Sequence, residues 1–396
     1  MQEPVNVFQM SGLTIDAVRK PDGKIELKSK GILKFIAEPF LSVANKHLEA
    51  EKPAKITDDA VYPSTWLPPI PGPAFKRLVN AEVRTSYKKF VPETVSIEVT
   101  RKHNANAEKW SKRSKTDENE KKDVADPSRS QIKKAIDQAI LAGAVVITFT
   151  EGDPMLNENI VEYVRYVDKE KAVVMAYTWG LDFTLEKAKQ LKEAGLQTLL
   201  VSIYSADPAV HDEKRGIPGA YEKAMSAIQT GLDAGLLVTM ATHLDGKRMD
   251  EMEKLWSLAE ESGVHEFSIW ESAPTLEGER IINDTDRKKI TDLYKKVNAS
   301  SEDGPRIFSN TVFEGEMFGS MAGRRWLHIT TEGEVWPDPY IPLSYGNVNK
   351  EPLEEIWKRM RKEPELREKR NSHVLYDPIY LQKVRDANNW DFRNQK

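Results

Sequence analysis

Short apolar runs alternate with amphipathic helical patterns between residues 92 and 298. The apolar runs are almost continuous, which is typical of strands in a parallel sheet buried on both faces. A glycine follows one helical pattern after another and marks the turn into the next strand. The predicted strands cover residues 95–100, 145–150, 172–177, 199–203, 236–242 and 266–270, and the predicted helices cover residues 126–142, 157–169, 184–194, 220–234, 250–262 and 284–298.

Repeated βα units of this kind predict an α/β fold with one parallel sheet. Six strands favour a partial barrel or a doubly wound sheet, and in either architecture ligands bind at the carboxyl ends of the strands. Aromatic side chains at such positions more often pack than bind ligands. The strand-end candidates are Thr178, Trp179, Tyr204, Thr242, Trp270, Glu271 and Trp326.

The N-terminal region lacks the repeated βα pattern of residues 92–298. Residues 31–49 carry apolar side chains at roughly helical spacing, interrupted near Pro39, and predict a broken amphipathic helix. Its simpler role is packing against the main domain, and the alternative is peripheral contact with a membrane or a partner. Residues 63–73 hold five prolines, so we expect an extended connector there.

The C-terminal region is rich in loops. We predict a hairpin formed by residues 327–330 and 334–336, followed by a helix over residues 352–361. These elements suit a small α+β domain. The predicted domains are an N-terminal extension (1–90), a barrel (91–304) and a small auxiliary domain (305–396).

Charge and hydropathy exclude several classes of protein. The net charge of −4 is mild, so we expect no nucleic-acid surface. No apolar run approaches the ~18 residues that span a membrane, and residues 1–24 lack the layout of a secretory signal. We therefore expect a cytoplasmic protein without a transmembrane segment.

The chain contains no cysteine. This excludes disulfides, thiolate catalysis and iron–sulfur clusters held by cysteine. A phosphate loop, a nucleophile elbow and a zinc-protease helix motif are also missing from the sequence. Glu151 and Asp153 are close enough for the pKa of one to be raised, which would suit an acid–base pair.

Three segments resemble the radical S-adenosylmethionine (radical SAM) superfamily in their order and spacing. Residues 95–110 (VSIEVTRKHNANAEKW) resemble the strand and loop where Thr-x-x-Cys-Asn-x-x-Cys-x-x-Cys holds a [4Fe–4S] cluster. Thr100 and Asn104 match this motif. The three cysteine positions of the motif fall on His103, Ala107 and Trp110.

The other two segments resemble the parts of that family that hold S-adenosylmethionine. Residues 147–156 (ITFTEGDPML) resemble a Gly-Gly-Glu-Pro turn whose backbone binds the amino group, with Glu151 in place of the first glycine. Residues 199–228 resemble the fourth strand and the segment after it. The resemblance implies cofactor contacts at Glu151, Gly152, Asp153, Pro154 and Ser202.

Residues 319–357 resemble the SPASM or twitch domain, which holds auxiliary clusters in that family. The ancestral auxiliary-cluster positions fall on Ser320, Asp338 and His373, and prolines on both sides make Asp338 the firmest match. A harder metal bound by His103, Asp338 and His373 would need ligands from two separate cluster sites. We therefore expect no metal site.

The resemblance implies a partial (β/α)6 TIM-like barrel with a small C-terminal α+β auxiliary domain. One histidine in place of three thiolates cannot hold the [4Fe–4S] cluster, so S-adenosylmethionine would lose its iron contacts and bind weakly. The leading interpretation is a protein inactive in S-adenosylmethionine cleavage that binds a peptide, small molecule or partner enzyme at the barrel mouth.

The alternative interpretation is a cysteine-free version of an active radical SAM maturase. The resemblance implies that such an enzyme modifies a peptide, protein or small metabolite through a 5′-deoxyadenosyl radical. The residues at the six cysteine positions are chemically mixed, whereas deliberate removal of cysteine would use one replacement, such as serine or alanine, throughout. The mixture fits better a sequence that drifted or was generated without selection for cluster ligands. Both origins stay open at this point.

Overall fold

The computed structural model describes residues 4–85, 89–102, 126–272 and 281–388. The strands are β1 (Val5–Met10), β2 (Leu13–Arg19), β3 (Ile25–Lys30), β4 (Lys55–Ile56), β5 (Val61–Tyr62), β6 (Thr94–Glu98), β7 (Val146–Thr150), β8 (Val173–Thr178), β9 (Leu196–Ser202), β10 (Leu237–Leu244), β11 (Glu266–Glu271), β12 (Arg306–Ser309), β13 (Trp326–Ile329) and β14 (Val335–Trp336).

The α-helices are α1 (Glu38–Ala50), α2 (Pro73–Thr85), α3 (Arg129–Ala142), α4 (Ile160–Tyr166), α5 (Leu185–Glu193), α6 (Pro208–Arg215), α7 (Ala220–Asp233), α8 (Glu251–Glu261), α9 (Asp284–Asn298), α10 (Asn310–Val312), α11 (Leu353–Met360), α12 (Pro364–Arg367) and α13 (Pro378–Ala387). Short 3₁₀ helices cover Lys34–Ile36, Pro154–Leu156 and Val374–Tyr376, and a π-helical turn covers Phe313–Met317.

The main sheet is an open parallel barrel. Its strand order is β12-β11-β10-β9-β8-β7-β6-β13-β14, and every neighbouring pair is parallel except β13 with β14. The six predicted strands are confirmed as β6 to β11, and the predicted C-terminal hairpin is confirmed as β13 and β14. We call the open side between β12 and β13 the seam, because these two strands are not paired with each other in the described ranges.

Two strands beyond the predicted six extend the sheet. β12 pairs with β11, and β13 pairs with β6, so the region after residue 304 contributes to the barrel wall itself. β12 is only four residues long and begins with an arginine. A strand this short and polar at its start carries no clear alternation, which is why the sequence pattern did not predict it.

Side chains alternate along the barrel strands between an outer and an inner layer. On β8, Val174 and Ala176 pack in the outer core together with side chains of the surrounding helices. Met175 belongs instead to a second cluster inside the barrel, together with Trp270 and Phe308. Inward and outward positions are both buried, which explains the nearly continuous apolar runs.

The proline-rich connector closes the amino end of the barrel. The Thr65 hydroxyl donates to the Glu266 carboxylate at 2.6 Å and lies 2.7 Å from the Thr239 hydroxyl. The Thr65 carbonyl accepts a hydrogen bond from the Thr198 hydroxyl at 2.9 Å. The Trp66 ring then enters the lumen, with its centroid 5.2 Å from those of Trp270 and Phe308. The connector is therefore a plug that is held by hydrogen bonds from Thr65 to residues near the starts of β9, β10 and β11.

Two buried arginines hold the strands at the seam. Arg306 begins β12 and forms ion pairs with Glu51 at 2.9 Å and with Glu266 at 3.1 Å. Arg325 directly precedes β13 and pairs with Glu93 at 2.8 Å and Glu82 at 3.0 Å. We call each arginine with its two glutamates an arginine group. In each group one glutamate, Glu51 or Glu82, comes from the N-terminal region. The other comes from the barrel: Glu266 begins β11, and Glu93 directly precedes β6.

The N-terminal region folds around the plug. β1, β2 and β3 form an antiparallel sheet, and α1 packs against β3, where the Asn45 side chain bonds to both backbone polar groups of Leu27 at 2.8 Å. The predicted break near Pro39 is confirmed, because a 3₁₀ turn ends before α1 and Pro39 lies in the first turn. Ile32 and Phe35 are 85% and 64% exposed, so membrane contact by this segment stays a prediction.

Helix boundaries follow the sequence signals with local corrections. α9 covers the predicted residues 284–298. The prediction that α3 begins at residue 126 is wrong, because Ser128 and Gln131 form a capping box that starts the helix at Arg129. The prediction of a helix over residues 157–169 is too long, since α4 is confined to Ile160–Tyr166. No described helix is long and apolar enough to cross a membrane.

Glu151 has an unusual backbone conformation in the turn after β7. Its φ angle is +63°, in the left-handed region that favours glycine. The next residue, Gly152, is also left-handed, and a side chain there would collide with the carbonyl oxygen of Thr100. The turn therefore needs a glycine at 152 and tolerates a strained glutamate at 151.

We expect substitution of Arg325 by methionine to destabilise the protein strongly. The change leaves Glu82 and Glu93 buried without their cation, which should lower the free energy of unfolding by about 3–5 kcal/mol. The measurement is urea unfolding followed by far-ultraviolet circular dichroism. Arg359→Met is the matched control, because Arg359 pairs with Glu351 at an exposed site and should cost less than ~1 kcal/mol. Equal losses in both variants would contradict a structural role for the buried group.

We expect Glu151→Gly to stabilise the protein. Glycine removes the left-handed strain, and after its own entropic cost about 0.5–1 kcal/mol of unfolding free energy should be gained. Glu151→Ala is the control, because alanine removes the carboxylate but keeps the strain. A gain in the alanine variant equal to that of the glycine variant would assign the effect to the charge and refute the backbone explanation.

Candidate functional site

The barrel mouth, where the parallel strands end, gathers most of the side chains that the sequence singled out. β7 ends at Thr150, β8 at Thr178 and β9 at Ser202. The turn of residues 151–154 follows β7 and lies against the end of β6, because the Asp153 amide donates to the carbonyl of Lys102 at 3.0 Å. The predicted cofactor turn and Ser202 thus lie at the same end of the barrel.

Asp153 is buried in a structural role. Its carboxylate accepts hydrogen bonds from the Met155 amide at 3.0 Å, the Trp179 amide at 3.0 Å and the Thr178 hydroxyl at 3.1 Å. Burial raises the pKa of Asp153, and these donors act in the opposite direction. Both oxygens are occupied by the turn and by β8, so the geometry does not support an acid–base pair with Glu151.

Arg215 reaches the predicted cofactor residue Ser202. Its Nη2 donates to the Ser202 hydroxyl at 2.8 Å and to the Ser202 carbonyl at 3.1 Å. The guanidinium lies over the Trp179 ring, 4.3 Å from the centroid, and burial lowers the pKa of Arg215 to about 10. The sequence did not single out Arg215, although Pro208 at the start of α6 and left-handed Gly216 at its end are helix signals.

A second arginine lies on an aromatic ring at the mouth. The Arg248 guanidinium is 3.4 Å from the centroid of Tyr204, and its Nη1 donates to the carbonyl of His243 at 2.7 Å. His243 in turn lies 2.7 Å from the Tyr340 hydroxyl. The mouth therefore presents two arginine–aromatic stacks, built by residues after β8, β9 and β10.

The remaining strand-end candidates have structural contacts. Glu271 accepts from Arg287 at 2.9 Å, from Thr311 at 2.7 Å and from Tyr376 at 3.0 Å. Trp270 and Trp326 pack against each other inside the barrel, 5.7 Å between centroids, and do not line the mouth. Thr242 is buried, and its hydroxyl has no hydrogen-bond partner among the described residues.

Two of the three predicted auxiliary-cluster positions are in contact. His373 Nε2 donates to Asp338 at 2.6 Å, and its Nδ1 faces the Leu375 amide at 3.3 Å. Burial opposes the charge of His373, but Asp338 and then Glu314 raise its pKa to about 9. Ser320 is buried, and its amide donates to the Arg370 carbonyl at 2.9 Å.

The donor set does not fit an iron–sulfur cluster. The sequence holds no thiolate, and His103, Ala107 and Trp110 lie outside the described residues. In the described ranges no three His, Asp or Glu side chains are arranged to hold a metal ion. His373 Nε2 carries the hydrogen that it donates to Asp338, so it has no lone pair for a metal.

Comparison with known proteins gives one consistent result. Residues 109–259 match the family model described as Radical SAM superfamily. The AdoMet-dependent heme synthases of Methanosarcina barkeri and Nitratidesulfovibrio vulgaris are 26% and 29% identical to this chain, over 57% and 59% of it and 72% and 70% of their own lengths. The subtilosin biosynthesis protein AlbA of Bacillus subtilis is 24% identical, over 58% of this chain and 52% of its own.

Solved structures agree on the fold. SuiB of Streptococcus suis bound to S-adenosylmethionine superposes with a TM-score of 0.55 at 11% identity, over 90% of this chain and 87% of SuiB. SuiB bound to its precursor peptide SuiA gives a TM-score of 0.54 at 12% identity, over 72% and 69% of the two chains. The segment that matches the Radical SAM superfamily model contains four of the barrel strands, β7 to β10, and the chain as a whole shares the fold of these solved structures.

Proposed function

We propose that this protein is a radical SAM family member that does not cleave S-adenosylmethionine and instead binds a peptide at the barrel mouth. The observation that carries the proposal is the complete lack of cysteine in 396 residues. Three thiolates hold the cluster in this family, and the neutral thioether and imidazole groups of this chain do not replace the charged thiolates. The reductive step of the family therefore has no electron source in this polypeptide.

The region that resembles the auxiliary domain supports the same proposal. A cluster there would need thiolates, and the corresponding positions hold the Asp338–His373 ion pair instead. Asp338 also accepts from the Tyr340 amide at 2.8 Å, so the pair is tied into the local backbone. In this proposal the two opposite charges compensate each other inside the protein. Asp338 and His373 therefore have a structural role and do not bind a metal.

The arginine–aromatic stacks at the mouth support peptide binding. Trp179 with Arg215 and Tyr204 with Arg248 present flat rings next to fixed positive charge. Aromatic residues and arginine are the residues that dominate binding energy at protein interfaces. The SuiB structure with its precursor peptide and the relative AlbA, named for bacteriocin biosynthesis, make a peptide the best supported ligand class.

S-adenosylmethionine is a second, weak ligand in this proposal. The turn of residues 151–154, which resembles the family's cofactor turn, has a left-handed backbone at Glu151 and Gly152, and the Asp153 amide donates to the Lys102 carbonyl. The Ser202 hydroxyl already accepts a hydrogen bond from Arg215, and the contacts that an iron would make are missing. We therefore expect binding without cleavage.

Anaerobic reconstitution tests the loss of the cluster. After incubation with iron and sulfide, we expect substoichiometric iron, no broad visible absorbance and no 5′-deoxyadenosine in the presence of S-adenosylmethionine and dithionite. The physical reason is the lack of thiolate ligands. Stoichiometric iron and sulfide with 5′-deoxyadenosine formation would refute the proposal outright.

A cysteine-restored variant separates this proposal from the alternative of an altered but otherwise intact maturase. The variant carries His103→Cys, Ala107→Cys and Trp110→Cys together and is assayed beside the unaltered chain. Recovery of 5′-deoxyadenosine formation would support the alternative, since it would mean that the rest of the cofactor site is competent. Cluster assembly without cleavage would support a site that has diverged toward binding.

A partner-capture experiment tests the mouth as the binding surface. We expect Trp179→Ala to reduce the amount of peptide or protein that co-purifies from the source cells, because the platform for the Arg215 guanidinium is removed. Tyr166→Ala is the control, since Tyr166 is a half-exposed aromatic residue on α4 with the same kind of cation contact, to Lys133 at 5.0 Å. The measurement is quantitative mass spectrometry of the eluates, and equal capture by both variants would place the binding surface elsewhere.

A further inference from the structure

Adjoining cavities run along the seam, from the N-terminal region into the barrel. The first holds about 130 Å³ and lies between the N-terminal elements and the seam. Its walls are mainly apolar side chains of α1, the connector and α2, together with residues that follow β12. An apolar cavity of ~150 Å³ is large enough to hold a benzene-sized molecule.

Neighbouring cavities share wall residues, and we call this row of adjoining cavities the passage. The second cavity holds about 60 Å³ and shares Trp66, Leu78 and Phe308 with the first. The third holds about 10 Å³ and shares Trp270 and Glu314 with the second. The passage thus leads from an apolar chamber, past aromatic rings, to a small polar end.

The polar end is built around Glu314. This side chain is only 3% exposed, and its Oε2 has no hydrogen-bond partner among the described residues. The neighbouring carboxylates are already compensated, Asp338 by His373 and Glu271 by Arg287. Burial raises the pKa of Glu314 to about 7, with His373 acting to lower it and Asp338 to raise it.

A buried acceptor without a donor is unfavourable by about 1–3 kcal/mol and more for a charged group, so a ligand that donates to it regains this free energy. Apolar walls with one fixed polar group at the end are typical of sites for elongated amphiphilic molecules. A negative group at the end favours a cationic head over a neutral or anionic one.

We propose that this passage binds a linear apolar molecule carrying a primary amine, with the amine donating to Oε2 of Glu314. The apolar body would lie along Trp270, Trp66 and Phe308 and end in the chamber beside α1. The polar end adjoins the second stack, because Tyr340 lines the third cavity and its hydroxyl lies 2.7 Å from His243. The proposed amine contact involves neither arginine of the stacks and does not depend on the proposed peptide-binding function.

Three probes of equal length test the chemistry of the head group on the unaltered protein. Octylamine, octanol and octanoate are titrated by calorimetry and by intrinsic fluorescence, since three tryptophans line the passage. We expect one octylamine per chain, binding about tenfold tighter than octanol, and octanoate weakest. Octanoate binding as tightly as octylamine, or no binding by any probe, would overturn the proposal.

Glu314→Gln assigns the head-group contact. The substitution keeps the shape and removes the charge, so octylamine should bind about tenfold more weakly while octanol changes less than about twofold. Glu316→Gln is the control, because Glu316 lies two residues away in the same π-helical turn but is exposed and paired with Lys295. An unchanged octylamine affinity in the Glu314 variant, or an equal loss in the Glu316 variant, would contradict the assignment.

Leu78→Trp tests the route. Leu78 lines both larger cavities, so a larger side chain there should abolish binding of octylamine and octanol together. Circular dichroism checks that the variant is folded. Retained binding in a folded variant would exclude the passage as the site, and the probe series on the unaltered chain decides the question if the variant does not fold.

Discussion

The open barrel depends on buried charge at its seam. A parallel sheet that does not close leaves edge strands with unpaired backbone groups, and proteins cover or modify such edges. Here a buried arginine lies on each side of the seam, Arg306 at the start of the edge strand β12 and Arg325 just before β13, which is covered in part by the short edge strand β14. Each arginine lies between a glutamate of the N-terminal region and a glutamate of the barrel. Because either arginine without its partners would be a buried uncompensated charge, the N-terminal region and the barrel must fold as one unit.

The same constraint explains how far the sequence could predict the fold. β6 to β11 and α9 follow from apolar runs and helical spacing, which depend only on local burial. β13 was predicted as one strand of a hairpin, but its pairing with β6 was not predicted, and β12 was not predicted at all. Their position follows from partners that are more than 200 residues away along the chain, such as Pro63 and Glu82. A pattern of neighbouring residues contains no information about contacts of that kind.

The candidate site, like the fold, was predictable from the sequence only in part. The resemblance assigned Asp338 and His373 to auxiliary-cluster positions, and the structure brings the two side chains into contact at 2.6 Å, although no contact between them was predicted. The role of Ser202 could not be anticipated, because its partner Arg215 reaches it from the far end of α6. Glu314 carried no signal at all: it is an ordinary glutamate in sequence, and only its burial in the π-helical turn beside the seam makes it chemically unusual.

The turn after β7 is held in shape by contacts within the protein. Its shape is held by the close approach of Gly152 to Thr100 and by the three donors on Asp153, none of which requires a metal. Glu151 keeps a left-handed backbone although glycine would adopt it with less strain. The surrounding contacts therefore over-determine the turn. A barrel whose mouth is fixed by its own hydrogen bonds, and whose base and seam are fixed by Trp66 and the two arginine groups, has no structural need for iron.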